Sequence, residues 1–531
     1  MLTVLAAVLL AQVTAPPSPP PASSPLPSVA PLQASPASVG MHPGTTTIAR
    51  ITSAAGALTA TAGPLITVTV DQATQTLAIT AAGQLGHDTV HVTDQTGAAV
   101  DIPVFVAQDA GSVPNAVTLK VTGTPMDPAW LSSQISAAVS RNATVHPGAT
   151  LAAPSPSIAP PQLGTSANVS VPVQISGNGQ YLDVAATTSV TVQNVDVEPF
   201  APPTLMYDDD PEHLAGDGVI YRGSVTAGAP SRLYYYHDNT SDPRRIVVAL
   251  SSSGNRTSPV QIIDSTAGPN IDVMSVGHAV SRDYLLMKPR NEGVIYDVDP
   301  SAPLVLHDVP MSSRQLVAGT LGINVLSGGP VTVTVLAVAP GADPLAMLAG
   351  PLLPRDGHNR SGVFQLTNFG TDSLAYTVGG NDTSIVYGDR DPTPQNVDPA
   401  SAGRDYGDYG VTHTFLFSLS NPTSAPANVY LYERPIGGVV RSSFLVDGRL
   451  ADMGCVRVNT VRYQIAAFAL QPNQRYQLNV QTMTDGGSNY PLEVGLTATP
   501  PEPVVPAISA PDGCFPKPQT LPAPSPSAIP F

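Results

Sequence analysis

Between about residues 40 and 108 the apolar side chains recur at every second position: LITVTV (65–70), TLAIT (76–80), DTVHVTD (88–94) and VDIPVFV (100–106). A period of two sends side chains to alternate faces of an extended chain, so each segment predicts a strand with one face buried. Gly, Asp and Gln turns between the strands close them into a β-sandwich. Further Thr-, Ser- and Val-rich strands follow, and the fold class predicted for the whole chain is mainly β: several tandem β-sandwich domains, one short helix and proline-rich linkers. Gly 44 and Pro 57 together make about 19% of the 531 residues. That is below the roughly 25% at which disorder becomes the default, so most of the chain is expected to fold, with room for three or four domains.

Charge restricts the partners. Only 12% of the residues are charged, the formal net charge is −16, and lysine occurs only at Lys120, Lys288 and Lys517. Nucleic-acid binding depends on Lys and Arg neutralising phosphates, which sets DNA and RNA aside.

Residues 2–15 (LTVLAAVLLAQVTA) form a weakly polar to apolar run with Val13 and Ala15 at the small-residue positions before a cut, the pattern of a secretory signal peptide. It lacks a basic leading segment, and Pro16 follows directly. A membrane span needs about 20 apolar residues, and the run is too short. Cys455 and Cys514 fit an exported chain in which they pair, closing a loop of about 60 residues for roughly 4 kcal/mol, the alternative being two free thiols. The expected location is secreted, periplasmic or at the cell surface.

Residues 16–38 (PPSPPPASSPLPSVAPLQASPAS) cannot bury apolar area and predict an extended, semi-rigid linker, matched by a proline-rich tail over 500–531. The segment GHDTVHVTDQTGAAVDIPVFV (86–106) resembles the last strands of bacterial immunoglobulin-like repeats, in which a strand ending in Thr-Asp turns at a Gly into a final strand. The resemblance covers about seventy residues, an Ig-like domain over 39–109, and implies surface spacing or adhesion rather than catalysis. Asp127 followed by Pro128 then signals a helix start, with Trp130, Leu131, Ile135 and Val139 on one stripe. Residues 110–202 are expected to form a small α+β or sandwich domain.

The last three hundred residues carry a duplication. At a gapless offset of 183, YYYHDNTSDPRRIVVA (234–249) lies over FSLSNPTSAPANVYLY (417–432), and VQIID (260–264) over SFLVD (443–447). Both copies run a strand into a Thr-Ser-x-Pro turn and a second strand. Two related β-sandwiches are expected, over 203–345 and 346–499. LAGPLLPRDG (348–357) and DYGDYGVTHTFLFSLSNPTSAPANVYLY (405–432) resemble an uncharacterised family of exported, β-rich bacterial proteins known mainly from cyanobacteria; that resemblance implies export and β structure and brings no catalytic residues.

The nucleophile elbow G-x-S-x-G, H-E-x-x-H, Cys-x-x-Cys and both glycine-rich phosphate motifs are missing from the sequence. Four local features carry chemistry. Asp208, Asp209, Asp210, Glu212 and Asp217 crowd an eleven-residue stretch at an expected domain boundary, either a Ca²⁺ site of hard oxygen ligands or a solvated acidic linker. Asp389, Asp391, Asp398, Asp405 and Asp408 repeat that choice further on. His87 and His91 share a strand face, where they reach a common metal or merely face solvent. Tyr234, Tyr235 and Tyr236, with Tyr406 and Tyr409, form either an aromatic platform for sugar rings or ordinary strand positions.

The function expected from these features is a non-enzymatic exported protein: a cell-surface or periplasmic structural, adhesion or assembly component whose partner is an envelope protein or polysaccharide. The alternative is a carbohydrate-binding or glycan-processing envelope protein, using Tyr234, Tyr236, Tyr406 and Tyr409 beside the acids. Calcium is the only cofactor suggested.

Overall fold

A computed structural model describes residues 31–388, 393–457, 459–503 and Cys514. The expected signal peptide, most of the first linker, Asp389, Asp391 and most of the proline-rich tail lie outside these residues. Among the described residues the chain is mainly β, as the alternation predicts, with two α-helices where one was expected. It divides into two units: the described part of Met1–Ser112 with Thr144–Ala152 and Gln174–Ala185, and Val113–Ala143, Ala153–Val173 with the described part of Ala186–Phe531.

The first unit holds a sandwich of two four-stranded sheets. One orders Gln33–Ser35, Thr46–Thr52, Thr76–Ala81 and Ile66–Asp71; the other orders Val39–Met41, Ala99–Val106, Gly86–Thr93 and Thr59–Ala62. Their inward residues, including Ile51, Leu77, Ile79, Val90, Ile102 and Val104, form one core. The strand Gln33–Ser35 pairs with Arg50–Thr52, and Leu32 is buried, so the sandwich starts inside the tract that composition assigns to a linker ending at Ser38.

In the second unit, Ala116–Thr122 pairs in parallel with Ser189–Asn194 and antiparallel with Gly293–Ile295. Through this strand the strands of the 110–202 segment and the sheet of the following sandwich form one continuous sheet. Helix α1 (Pro128–Asn142) starts where expected, the Asp127 carboxylate accepting from the Ala129 amide, and buries Leu131, Ile135 and Val139.

Two sandwiches follow with one strand order. The first packs the series Gly293–Val298, Ser258–Asn270, Leu316–Val325, Ser231–Asn239, Thr204–Asp208 against Gly218–Val225, Val331–Val338, Arg244–Ser252, Leu304–Met311. The second packs Arg449–Val456, Val440–Val446, Arg475–Met483, Thr412–Ser420, Thr371–Thr377 against Thr383–Tyr387, Leu492–Thr497, Ala427–Pro435, Tyr463–Leu470. The likeness reaches single hydrogen bonds. Asn239 Nδ2 donates to the Asp242 and Met311 carbonyls, and Asn421 Nδ2 donates to those of Ala425 and Leu470. Gln315 and Gln474 each accept from a backbone amide three residues earlier.

This correspondence sets the offset of the first strand at 182, one less than the gapless match. A slip of one exchanges the two faces of a strand. Tyr235, not Tyr234, occupies the place of Phe417, and both belong to sandwich cores. Ser361–Gln365 pairs with Thr204–Asp208, so the second copy begins near Thr371 rather than at residue 346.

The copies differ where the second makes a tight turn at Asp447-Gly448. The first inserts helix α2 (Val273–Arg290) there, an element the periodicity reading missed. Asp272 caps it, accepting from the amide and hydroxyl of Ser275, and Asn291 ends it in the left-handed region. Val276 and Val280 pack with Tyr207, Tyr234 and Tyr236 of the first sandwich, while Tyr284 and Leu285 pack with Leu445 and Met483 of the second. At Gly277 a Cβ would overlap the Gly486 carbonyl, so glycine permits this close approach. Cys455 is disulfide-bonded to Cys514, with Cα atoms 5.4 Å apart. Cys455→Ser is expected to cost about 2–4 kcal/mol of stability; a melt with reductant should bring the parent down to the variant, and an unchanged melting temperature would refute it.

Candidate functional site

His278, Ser281 and Arg282 of α2 reach side chains and backbone of the second sandwich. His278 Nδ1 lies 2.6 Å from Asp485 Oδ2 and Nε2 lies 2.7 Å from Asp452 Oδ1. Arg282 Nε lies 3.0 Å from the other Asp452 oxygen, and the Ser281 hydroxyl donates to the Thr484 carbonyl. Arg441 returns a guanidinium to the Ser275 hydroxyl. Asp485 is fully buried and His278 nearly so. Burial pulls the imidazole pKa down, but the Asp485 charge and the hydrogen bonds to both carboxylates outweigh it and hold the pKa up to about 9. His278 is thus an imidazolium clamped between two carboxylates, with neither ring nitrogen available as a general base.

The acidic stretch lies at the first sandwich. Asp208 ends the strand Thr204–Asp208, and its Oδ2 is 3.1 Å from His237 Nε2, both side chains fully buried. The other His237 nitrogen donates to the Pro211 carbonyl. Asp209 accepts from the Tyr207 hydroxyl and Arg360, whose guanidinium also reaches Glu212 at 2.5 Å. Burial first, then the Glu212 charge, hold the Asp209 carboxyl well above its ordinary range. Asp210 accepts from the Asp356 amide, and Asp217 pairs with Arg244. The five carboxylates are thus engaged by protein partners, Arg360 serving both Asp209 and Glu212, and among the described residues no group of three or more His, Cys, Asp or Glu is placed to hold a metal ion. Nor is the stretch a solvated linker, since Asp208, Asp209 and Asp210 are all buried.

In the second acidic stretch Asp398 accepts from the Ala400 amide, Asp405 accepts from the Tyr409 amide, and Asp408 faces His413 at 3.6 Å. In the first unit His87 stacks on Phe105 and His91 bonds Asp101, so the two histidines are engaged separately.

The tyrosines do not form an exposed platform. Tyr234 and Tyr236 are buried against α2, Tyr235 is buried in the sandwich core, and Tyr409 stacks over Tyr234 at 6.2 Å; Tyr406 is the exposed member of the set. Their strand is covered on both faces, by the sandwich on one side and by α2 on the other. A single-faced reading of the pattern cannot anticipate that. His278 was missed with the helix, and its partners Asp452 and Asp485 with it; the Asp272 cap and the spacing of Val276, Val280 and Tyr284 were the available signal.

The fold and site define a tandem β-sandwich protein. No protein-family profile matches the chain, and no curated protein does. Among solved structures it is similar to Lac15 from a marine microbial metagenome, at 11% identity over 88% of this chain and 90% of that one, with a TM-score of 0.11. It is also similar to the mixed-linkage glucan utilization locus protein SGBP-B of Bacteroides ovatus (11%, 56% and 72%, TM-score 0.13) and to the PBSX exported protein XepA (10%, 53% and 86%, TM-score 0.13). Superpositions this loose fix neither a family nor a function for the chain. Among the described residues no helix is long and apolar enough to cross a membrane.

Proposed function

We propose that the chain is an exported, non-enzymatic component of the cell surface or periplasm, a structural, adhesive or assembly protein whose partner is an envelope protein or polysaccharide. The joint at α2 supports this reading. Its charged side chains are engaged with one another across two sandwiches, and such a joint resists bending, as a spacer or assembly part requires. The Cys455–Cys514 bond adds support, because disulfides persist in oxidising compartments. The carbohydrate reading rested on tyrosines that lie mostly in the core. In cells that make it, the protein is expected in the envelope fraction or the medium with both cysteines oxidised. Recovery from the cytosol with free thiols would overturn the proposal.

A further inference from the structure

A cleft of about 200 Å³ opens in the second unit, away from the His278 clamp. Pro202, Leu366, Phe369 and Val411 give it apolar walls, and Arg232 and Lys288 add two cations. Arg232 belongs to the strand Ser231–Asn239 and is only 4% exposed. Its Nη1 donates to the Gly410 carbonyl at 2.5 Å, its guanidinium lies 4.8 Å from the Tyr284 ring centre, and its buried Nε has no hydrogen-bond partner. Lys288, in the last turn of α2, donates to the Phe200 carbonyl and stands 4.8 Å from the Phe200 ring centre.

Several buried acids of this unit are met by His or Arg, as at Asp208, Asp452 and Asp485. These two cations are met by carbonyls and ring faces instead, and among the described residues neither forms an ion pair with a carboxylate. Desolvated charge of one sign without a counterion is unfavourable, and the arrangement is complete only when an anion enters. Guanidinium geometry suits a carboxylate, and the surrounding side chains suit an apolar body.

We propose that this cleft binds a small organic acid, its carboxylate held between Arg232 and Lys288 and its apolar body against Leu366, Phe369 and Val411. Burial, and then the Arg232 charge, bring the Lys288 pKa down to about 8, a depression that a bound anion relieves. The site is independent of the envelope reading and stands or falls apart from it.

The test uses the full chain and benzoate. With lysine only at positions 120, 288 and 517, reductive ¹³C-methylation gives few signals to assign. Benzoate should shift the Lys288 signal saturably and raise its titration midpoint by about one unit or more, while benzamide, its neutral isostere, does neither. Arg232→Gln should weaken benzoate at least about tenfold. If that variant does not fold, Lys288→Gln gives the same reading by calorimetric titration. Absence of saturation, equal binding of benzamide, inorganic phosphate binding as well as benzoate, or undiminished benzoate binding by a folded variant would each overturn the assignment.

Discussion

His278→Asn is expected to lower the stability of the second unit by about 3–5 kcal/mol near neutral pH, the usual effect of removing one partner from a buried ion pair. Asparagine fills much of the same space but brings no positive charge, and it leaves Asp485 fully buried without its cation. The joint should fail before the sandwiches do, because each sandwich keeps its own apolar core. Denaturant unfolding should therefore change from one transition to two. The pH dependence has a definite sign: the folded imidazole is held up to about 9 against an ordinary value near 6.5. Its stabilisation is complete below about pH 6.5 and is lost as the pH rises through about 9. The gap between parent and variant should narrow over that interval. Equal midpoints at pH 6 would show that the clamp contributes nothing.

How much of this was legible in sequence depends on how many faces of each strand are buried. Thr76–Ala81 alternates between half-buried and buried positions, so its pattern gave both strand and sandwich. The segment Tyr234-Tyr235-Tyr236 is buried throughout, so no alternation fixes its register, and the gapless duplication slipped by one residue there. The same segment was open to an exposed-platform reading for the same reason. Helix α2 carries Gly277, several β-branched residues and Pro289, which lower its propensity and blur its stripe. Tertiary packing on both sides decides its structure. The acids from Asp208 to Asp217 were visible as a cluster, yet their partners lie far along the chain. Arg360 is about 150 residues beyond Asp209, and no local spacing announces such a pair.

Glu433→Gln is expected to stabilise the chain, by an amount that grows with pH. Glu433 lies fully buried in the strand Ala427–Pro435, accepts from the Ser442 hydroxyl at 2.5 Å, and has its second oxygen without a partner. Burial pushes its carboxyl up to about 8; the Ser442 bond opposes this and the nearby Asp485 charge adds to it. With a folded pKa above its ordinary value of 4.5, the folded chain holds the proton more tightly than the unfolded one. Stability is therefore fully present below about pH 4.5 and is lost as the pH rises through about 8. At pH 7 the loss is on the order of 3 kcal/mol, from 1.36 kcal/mol per unit over the interval above 4.5. Glutamine keeps the shape and the Ser442 hydrogen bond without ionising. The variant should match the parent near pH 4, exceed it by that order at pH 7, and exceed it further at pH 9. A variant no more stable than the parent at pH 8 would mean that Glu433 ionises inside the fold at little cost. Because His278 loses its proton over an overlapping interval, both groups drive stability in the same direction, so Glu433→Gln alone should remove only part of the parent's loss of stability between pH 5 and 9. Other buried acids add to the slope that remains, and Asp405, whose carboxyl burial and the Asp408 charge hold well above its ordinary range, is the first to replace.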